Sequence, residues 1–136
     1  MSDVMVFPDT RQCLTDLIHE TAHLGQTVGV QWIVQANSTG GLDASRLPVV
    51  EIYLTAGGTE GYIDRADRLS LACYAPGNDA MNILESVRAS IIGEGIETPH
   101  GYLDLVRVIN APSPSAYVSD LYDKALMTVE VVARPI

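Results

Sequence analysis

Between Tyr62 and Gly93 the hydrophobic period of the chain changes from two to about 3.6, and no other feature constrains the fold as strongly. In "YIDRADRLSLACYA", Leu69, Leu71 and Cys73 alternate with Arg68, Ser70 and Tyr74, the pattern of a strand with one apolar face. In "PGNDAMNILESVRASIIG", Ala80, Ile83, Leu84, Val87 and Ile91 share one helical stripe. Asn78 is placed to cap that helix, and Gly93 or Gly95 to end it. A one-sided strand leading straight into a one-striped helix reads as a helix laid on a sheet.

The rest of the chain supplies the other elements. A first helix is expected from about Thr10 to Leu24, with Leu14, Leu17, Ile18, Thr21 and Leu24 at helical spacing. Pro8 stands just ahead of it, and Asp9 with Gln12 resembles a capping box. "GQTVGVQWIVQA" sets Val28, Val30, Trp32 and Val34 against Gln31, Ile33 and Gln35, a second strand pattern, and "NSTGGLDASR" reads as a loop. "LPVVEIYL" points Val50, Ile52 and Leu54 inward and Glu51 and Tyr53 outward before "AGGTEG" turns the chain. These strands and the one that follows read as an antiparallel meander. "GYLDLVRVIN" and "ALMTVEVVA" are two further strands, separated by the loop "APSPSAYVSDLYDK". The order is α-β-β-β-α-β-β. It predicts an α+β two-layer sandwich, a mainly antiparallel sheet of about five strands with both helices on one face, in a single domain over the 136 residues.

Charge narrows the partners. Seventeen acidic residues against eight basic ones give a formal charge of -9, with no Lys/Arg cluster, which argues against nucleic-acid binding. No apolar run reaches the roughly 18 residues of a membrane span, and the first residues resemble no secretion leader, so a soluble chain made in a cytoplasm is expected. Cys13 and Cys73 are not in a metal-knuckle or redox spacing and read as buried thiols.

"HETAH", His19 to His23, fits the zinc-peptidase pattern H-E-x-x-H. On a helix, His19 and His23 would share a face and hold one zinc while Glu20 served as general base. The bland alternative is a polar helix face, because helical geometry turns both histidines away from the apolar stripe beside Asp16 and Glu20. The third ligand is also missing from the sequence. His100 is the only other histidine, no H-x-x-G-x-x-H extension follows, and Glu85 lies off the apolar stripe of its own helix. No other constellation stands out, and "RADR" and "TAGGTEG" read as a salt-bridged strand and a hairpin turn. The residues therefore imply no enzyme, cofactor or metal, with a small zinc peptidase built on His19, Glu20 and His23 as the alternative of a different class.

Taken in order, several stretches resemble the tail terminator, or tail completion, proteins of long-tailed bacteriophages. "VFPDTRQCLTDLI" looks like that family's first helix, and "LPVVEIYLTAGG" like its second strand and turn. The closest match is "IDRADRLSLACYAPGNDAMNILESVRASI", a D-R strand ending in tyrosine, then Ala-Pro-Gly, then an amphipathic helix. Pro112, Pro114, the Tyr122-Asp123 pair and a last strand closing on Arg134 resemble the family's final third. Lys124 and Ala125 depart from it where an aromatic-flanked arginine is expected, as does "HETAH". The resemblance implies a structural virion protein at the tail-neck junction, assembled in the host cytoplasm. It would form a homohexameric ring that caps the tail tube, stops its polymerisation and joins the head. Its partners would be the major tail tube protein and a head-tail connector; another neck or head-closure protein is the alternative within the virion.

Charge adds a detail if such a ring surrounds the path of the genome. A basic lumen would hold phosphates, so acidic loop residues, Asp43, Glu60, Asp120 and Asp123, are expected to face it. Arg65, Arg68 and Arg88 are then the candidates for pairing between subunits or with carboxylates of their own face.

Overall fold

The computed structural model describes residues 6–32, 48–61, 64–76, 79–115 and 122–135. These form two helices, α1 (Thr10–Ile18) and α2 (Ala80–Ile91), and seven strands. The strands are β1 (Thr21–His23), β2 (Gln26–Gln31), β3 (Val49–Glu60), β4 (Arg65–Pro76), β5 (Gly93–Thr98), β6 (Gly101–Pro114) and β7 (Tyr122–Ala133). All seven belong to one sheet in the order β1-β2-β3-β4-β7-β6-β5. The fold is α+β, with seven strands among the described residues rather than about five.

The period-two and period-3.6 segments behave as their patterns require. Leu69, Leu71 and Cys73 of β4 are fully buried, as are Ala80, Ile83, Leu84, Val87 and Ile91 of α2. They join Leu14 and Ile18 of α1, Val50 and Ile52 of β3 and Met127, Val129 and Val131 of β7 in one cluster beneath the helices. Burying these side chains, at roughly 1.5–3 kcal/mol for each large one, is the main force holding helices to sheet. Cys13 and Cys73 are both free and buried within it. Burial pushes the Cys73 thiol up to about 12, which keeps it protonated and inert.

Departures from the expected order begin at the end of α1. α1 stops at Ile18, six residues before Leu24, because the chain reverses there into a hairpin. Glu20 takes a left-handed φ of 61°, and Leu24 and Gly25, at φ 53° and 77°, form a two-residue turn. His23 pairs with Gln26 across that turn, which has the positive φ at both central positions that a type I′ hairpin needs. Leu24, read as the last apolar position of the helix, is 62% exposed at the tip. A hydroxyl closes the helix end: Thr21 Oγ1 donates to the Ile18 carbonyl at 2.5 Å, satisfying one of the orphan acceptors of the last turn. At the other end Asp9 caps as expected, accepting from the Gln12 amide at 3.2 Å. The Gln12 side chain, however, bonds forward to Asp16 at 3.1 Å.

The meander is likewise only partly present. β3 and β4 are antiparallel, but β2 runs parallel to β3, with Gly29 to Gln31 alongside Val49 to Glu51. "AGGTEG" is not a turn: β3 continues through it to Glu60, past an irregularity between Thr55 and Thr59. Of "APSPSAYVSDLYDK", the first four residues extend β6 and the last three open β7. Gly93 and Gly95 do not merely end α2. They belong to β5, an edge strand that pairs with β6 through the tight Pro99-His100 turn. The expected Asn78 cap lies outside the described residues. Asp79 holds the N-cap position of α2 without a capping bond of its own and accepts from Gln26 of β2 at 3.2 Å.

Candidate functional site: two faces of one sheet

The HETAH residues are spread over a helix cap, a turn and a strand, so the helical face that would bring His19 and His23 onto one metal does not form. His19 follows α1, and its Nδ1 accepts the Val30 amide at 2.9 Å, while its Nε2 lies 3.6 Å from Glu20. His23 is on β1 and is only 5% exposed, a correction to its expected place on a solvent-facing helix. Its ring contacts Thr21 Oγ1 at 2.9 Å through Nε2 and Ser86 Oγ at 2.8 Å through Nδ1. The geometry fixes the tautomer. Thr21 spends its proton on the Ile18 carbonyl, so Nε2 carries the histidine proton and Nδ1 accepts from Ser86. Burial holds the His23 pKa below its ordinary value, keeping the ring neutral. The motif thus fastens the β1–β2 hairpin to α2. Among the described residues no group of three or more His, Cys, Asp or Glu is placed to hold a metal ion.

His100, the other histidine, sits in the β5–β6 turn with Nδ1 2.5 Å from Asp16 of α1. Asp16 also takes the Gln12 amide, so His100 tethers that turn to the helix. A Cβ on Gly101, next in the chain, would stand 2.4 Å from Pro8 Cβ, so only glycine allows the N-terminal segment to cross here. Glu85, weighed as a third zinc ligand, is bound to Arg88 at 2.5 Å on the exposed side of α2.

Away from the helices, the sheet has a different character. On that side Val49, Ala72 and Tyr74 form a small second cluster with Tyr53 and Leu126. Next to it Ser70 and Thr128 are paired in register, their hydroxyls 3.4 Å apart. One step further, Thr55, Arg68, Glu130 and Arg107 lie side by side across β3, β4, β7 and β6. Arg107 grips one oxygen of Glu130 with Nε at 2.9 Å and a terminal nitrogen at 2.7 Å. Arg68 is different. Its Nε is buried without a hydrogen-bond partner, and its side chain makes no ion pair among the described residues.

The residues singled out from sequence are scattered. Arg65 and Glu60 come together where β3 connects to β4, 2.8 Å apart, with Arg65 stacked 4.5 Å from the Phe7 ring. They border a shallow depression with Gly58, Thr59 and Asp67, and Asp67 accepts from Thr10 Oγ1 at 2.8 Å. Arg88 also pairs within its own chain. Glu60 and Asp123, expected in loops, lie in β3 and β7, and Tyr122 opens β7; Asp43 and Asp120 fall outside the described residues. Sequence reading passed over Arg11. It donates to the Ile52 and Trp32 carbonyls at 2.8 and 3.1 Å and lies 4.3 Å from the Trp32 ring, whose Nε1 donates to Thr15 at 2.9 Å. Its place beside Gln12, Thr15 and Asp16 on the polar side of α1 was the only available signal.

Comparison with models of protein families and with characterised proteins finds no match to this chain. No helix among the described residues is long and apolar enough to cross a membrane.

Proposed function

We propose that this protein is a structural component of a bacteriophage tail, a terminator that assembles as a ring, most simply a homohexamer, on the end of the tail tube. There it halts polymerisation and presents a surface to the head-tail connector. The observation that carries the reading is the ordered resemblance of "VFPDTRQCLTDLI", "LPVVEIYLTAGG" and "IDRADRLSLACYAPGNDAMNILESVRASI" to that family. In the fold these stretches correspond to α1, most of β3, and the β4–α2 unit with the stripe that seals the core. The α+β arrangement is read, in the same spirit, as a two-layer sandwich with its helices on one side.

Binding without catalysis suits such a protein. The one motif that suggested chemistry has its imidazoles engaged by Val30, Ser86 and Thr21, which argues for a structural use of HETAH over a zinc peptidase. Termination has a simple physical requirement: one ring face complements the growing end of the tube, and the other does not reproduce it. A net charge of -9 per chain keeps free subunits soluble and repels DNA passing through the ring.

Electron microscopy of the purified protein, alone and mixed with tail tubes, tests the reading. Rings that seat on tube ends are expected. A phage lacking the protein should make normal heads and tails of uncontrolled length that stay unjoined. Tails of normal length would sink the terminator reading and favour another neck component.

A further inference from the structure

We infer that the Arg68–Glu130–Arg107 row is a socket for the carboxylates of a second copy of this chain, supplied by Glu94 and Glu97 on its β5 edge. The inference rests on the ring reading above and assigns the surface by which the ring closes.

The argument starts from a local charge imbalance. In a chain of net charge -9, this row holds two guanidinium groups and one carboxylate. Arg107 already saturates one oxygen of Glu130, whose side chain is only 13% exposed. Among the described residues the Arg68 side chain has no carboxylate partner: its Nε is buried and unbonded, which costs free energy, and the terminal nitrogens are the part of the fork left for an acceptor from outside. A guanidinium is a planar fork suited to a carboxylate, and this chain has carboxylates in surplus.

Two of them are well placed. Glu94 and Glu97 are exposed on the outermost strand of the sheet and have no hydrogen bond or ion pair among the described residues. Pairing in register with Leu105 and Tyr102, they form an acidic border at the sheet edge, whereas Arg68 lies three strands inward on β4. Socket and border are therefore separate patches of opposite sign on one molecule. Contact between them is heterologous, head to tail, and such contacts close into rings when the rotation permits. Arg65 and Arg88 have no such need, because Glu60 and Glu85 already neutralise them.

Charge exchange tests this. Sedimentation velocity would be run on the wild type, on R68E, on E94K/E97K, and on an equal mixture of the two variants, with circular dichroism to confirm folding. The wild type should assemble, each variant alone should stay small, and the mixture should recover the wild-type assembly, because both of its alternating contacts pair opposite charges. R68Q, the milder change, should raise the concentration for half-assembly by about tenfold to a hundredfold. A wild type that assembles while R68E and R68Q assemble equally well overturns the socket and leaves the ring reading standing. A wild type that stays monomeric at every concentration overturns both. Binding of duplex DNA that is lost in R68Q would replace the carboxylate with phosphate and also overturn the socket.

Discussion

The two faces of β4 are built to opposite rules. Toward the helices, Leu69, Leu71 and Cys73 are sealed under α2 and α1, and nothing on that side is charged along the middle of the strand. On the other side, Arg68, Ser70, Ala72 and Tyr74 pass from a cation with no ion pair among the described residues through a hydroxyl pair to a small aromatic cluster. The same strand thus carries stability on one face and, on our reading, recognition on the other. The division explains why substitutions two residues apart should affect the molecule in the same way, and substitutions one residue apart differently.

The strongest break is a charge placed under the helices. Leu84→Asp buries an unpaired carboxylate in the main cluster and should abolish soluble expression, whereas Leu84→Ala should cost about 2–5 kcal/mol in chemical denaturation. Normal solubility of the aspartate variant would mean that the helical face is not the stabilising one.

His23→Ala comes next, because it leaves Ser86 and Thr21 without their shared partner. A loss of about 1–3 kcal/mol is expected in urea titration, while His19→Ala, whose ring is half exposed, should cost less. Neither should change metal content by elemental analysis; one zinc per chain in the wild type that disappears in these variants would restore the peptidase reading. The same residue gives a pH dependence. With its folded pKa depressed below the ordinary 6.5, His23 adds nothing to instability above that pH. As pH falls through 6.5 the unfolded chain takes up a proton that the folded chain resists, so stability declines until the folded pKa is passed. Thermal melts from about pH 7.5 to 5.5 should show this decline in the wild type and a shallower one in His23→Gln; parallel curves would remove His23 as the cause.

A smaller effect is expected at the hairpin tip. Gly25→Ala meets no neighbouring atom, so its cost is only that of an L-residue at φ 77°, about 1 kcal/mol by thermal denaturation. Smallest of all is Arg65→Gln, which removes an exposed pair with Glu60 and should shift stability by no more than about 1 kcal/mol. It should also leave assembly untouched, in contrast to Arg68→Gln, and an equal loss of assembly in both would erase the distinction between the two arginines.

Some of this was written locally in the chain. The stripe Ala80, Ile83, Leu84, Val87, Ile91 and the alternation Leu69, Leu71, Cys73 were legible because periodicity depends only on neighbours in sequence, and burial follows wherever a cover is available. The Asp9 cap was legible for the same reason. Three features depended on distant residues. The helix expected to reach Leu24 ends at Ile18 because Thr21, Val28 and Val30 offer it hydrogen bonds from a hairpin whose Leu-Gly turn lacks the usual Asn-Gly signal. β5, with glycine at two of its six positions, is a strand because β6 lies beside it. The candidate socket was half visible: Arg65 and Arg68 look alike in "RADR", and only the fold gives one of them Glu60 and leaves the other without an ion pair among the described residues. Local pattern determined the stripe of α2 and the alternation at the centre of β4; it overran the end of α1, did not show β5, and set Leu54 inward where the fold leaves it exposed. Strand partners, the parallel β2–β3 pair and the fate of every charged side chain were decided by tertiary structure, because hydrogen-bond and ion-pair partners are set by proximity in space, which sequence spacing does not encode.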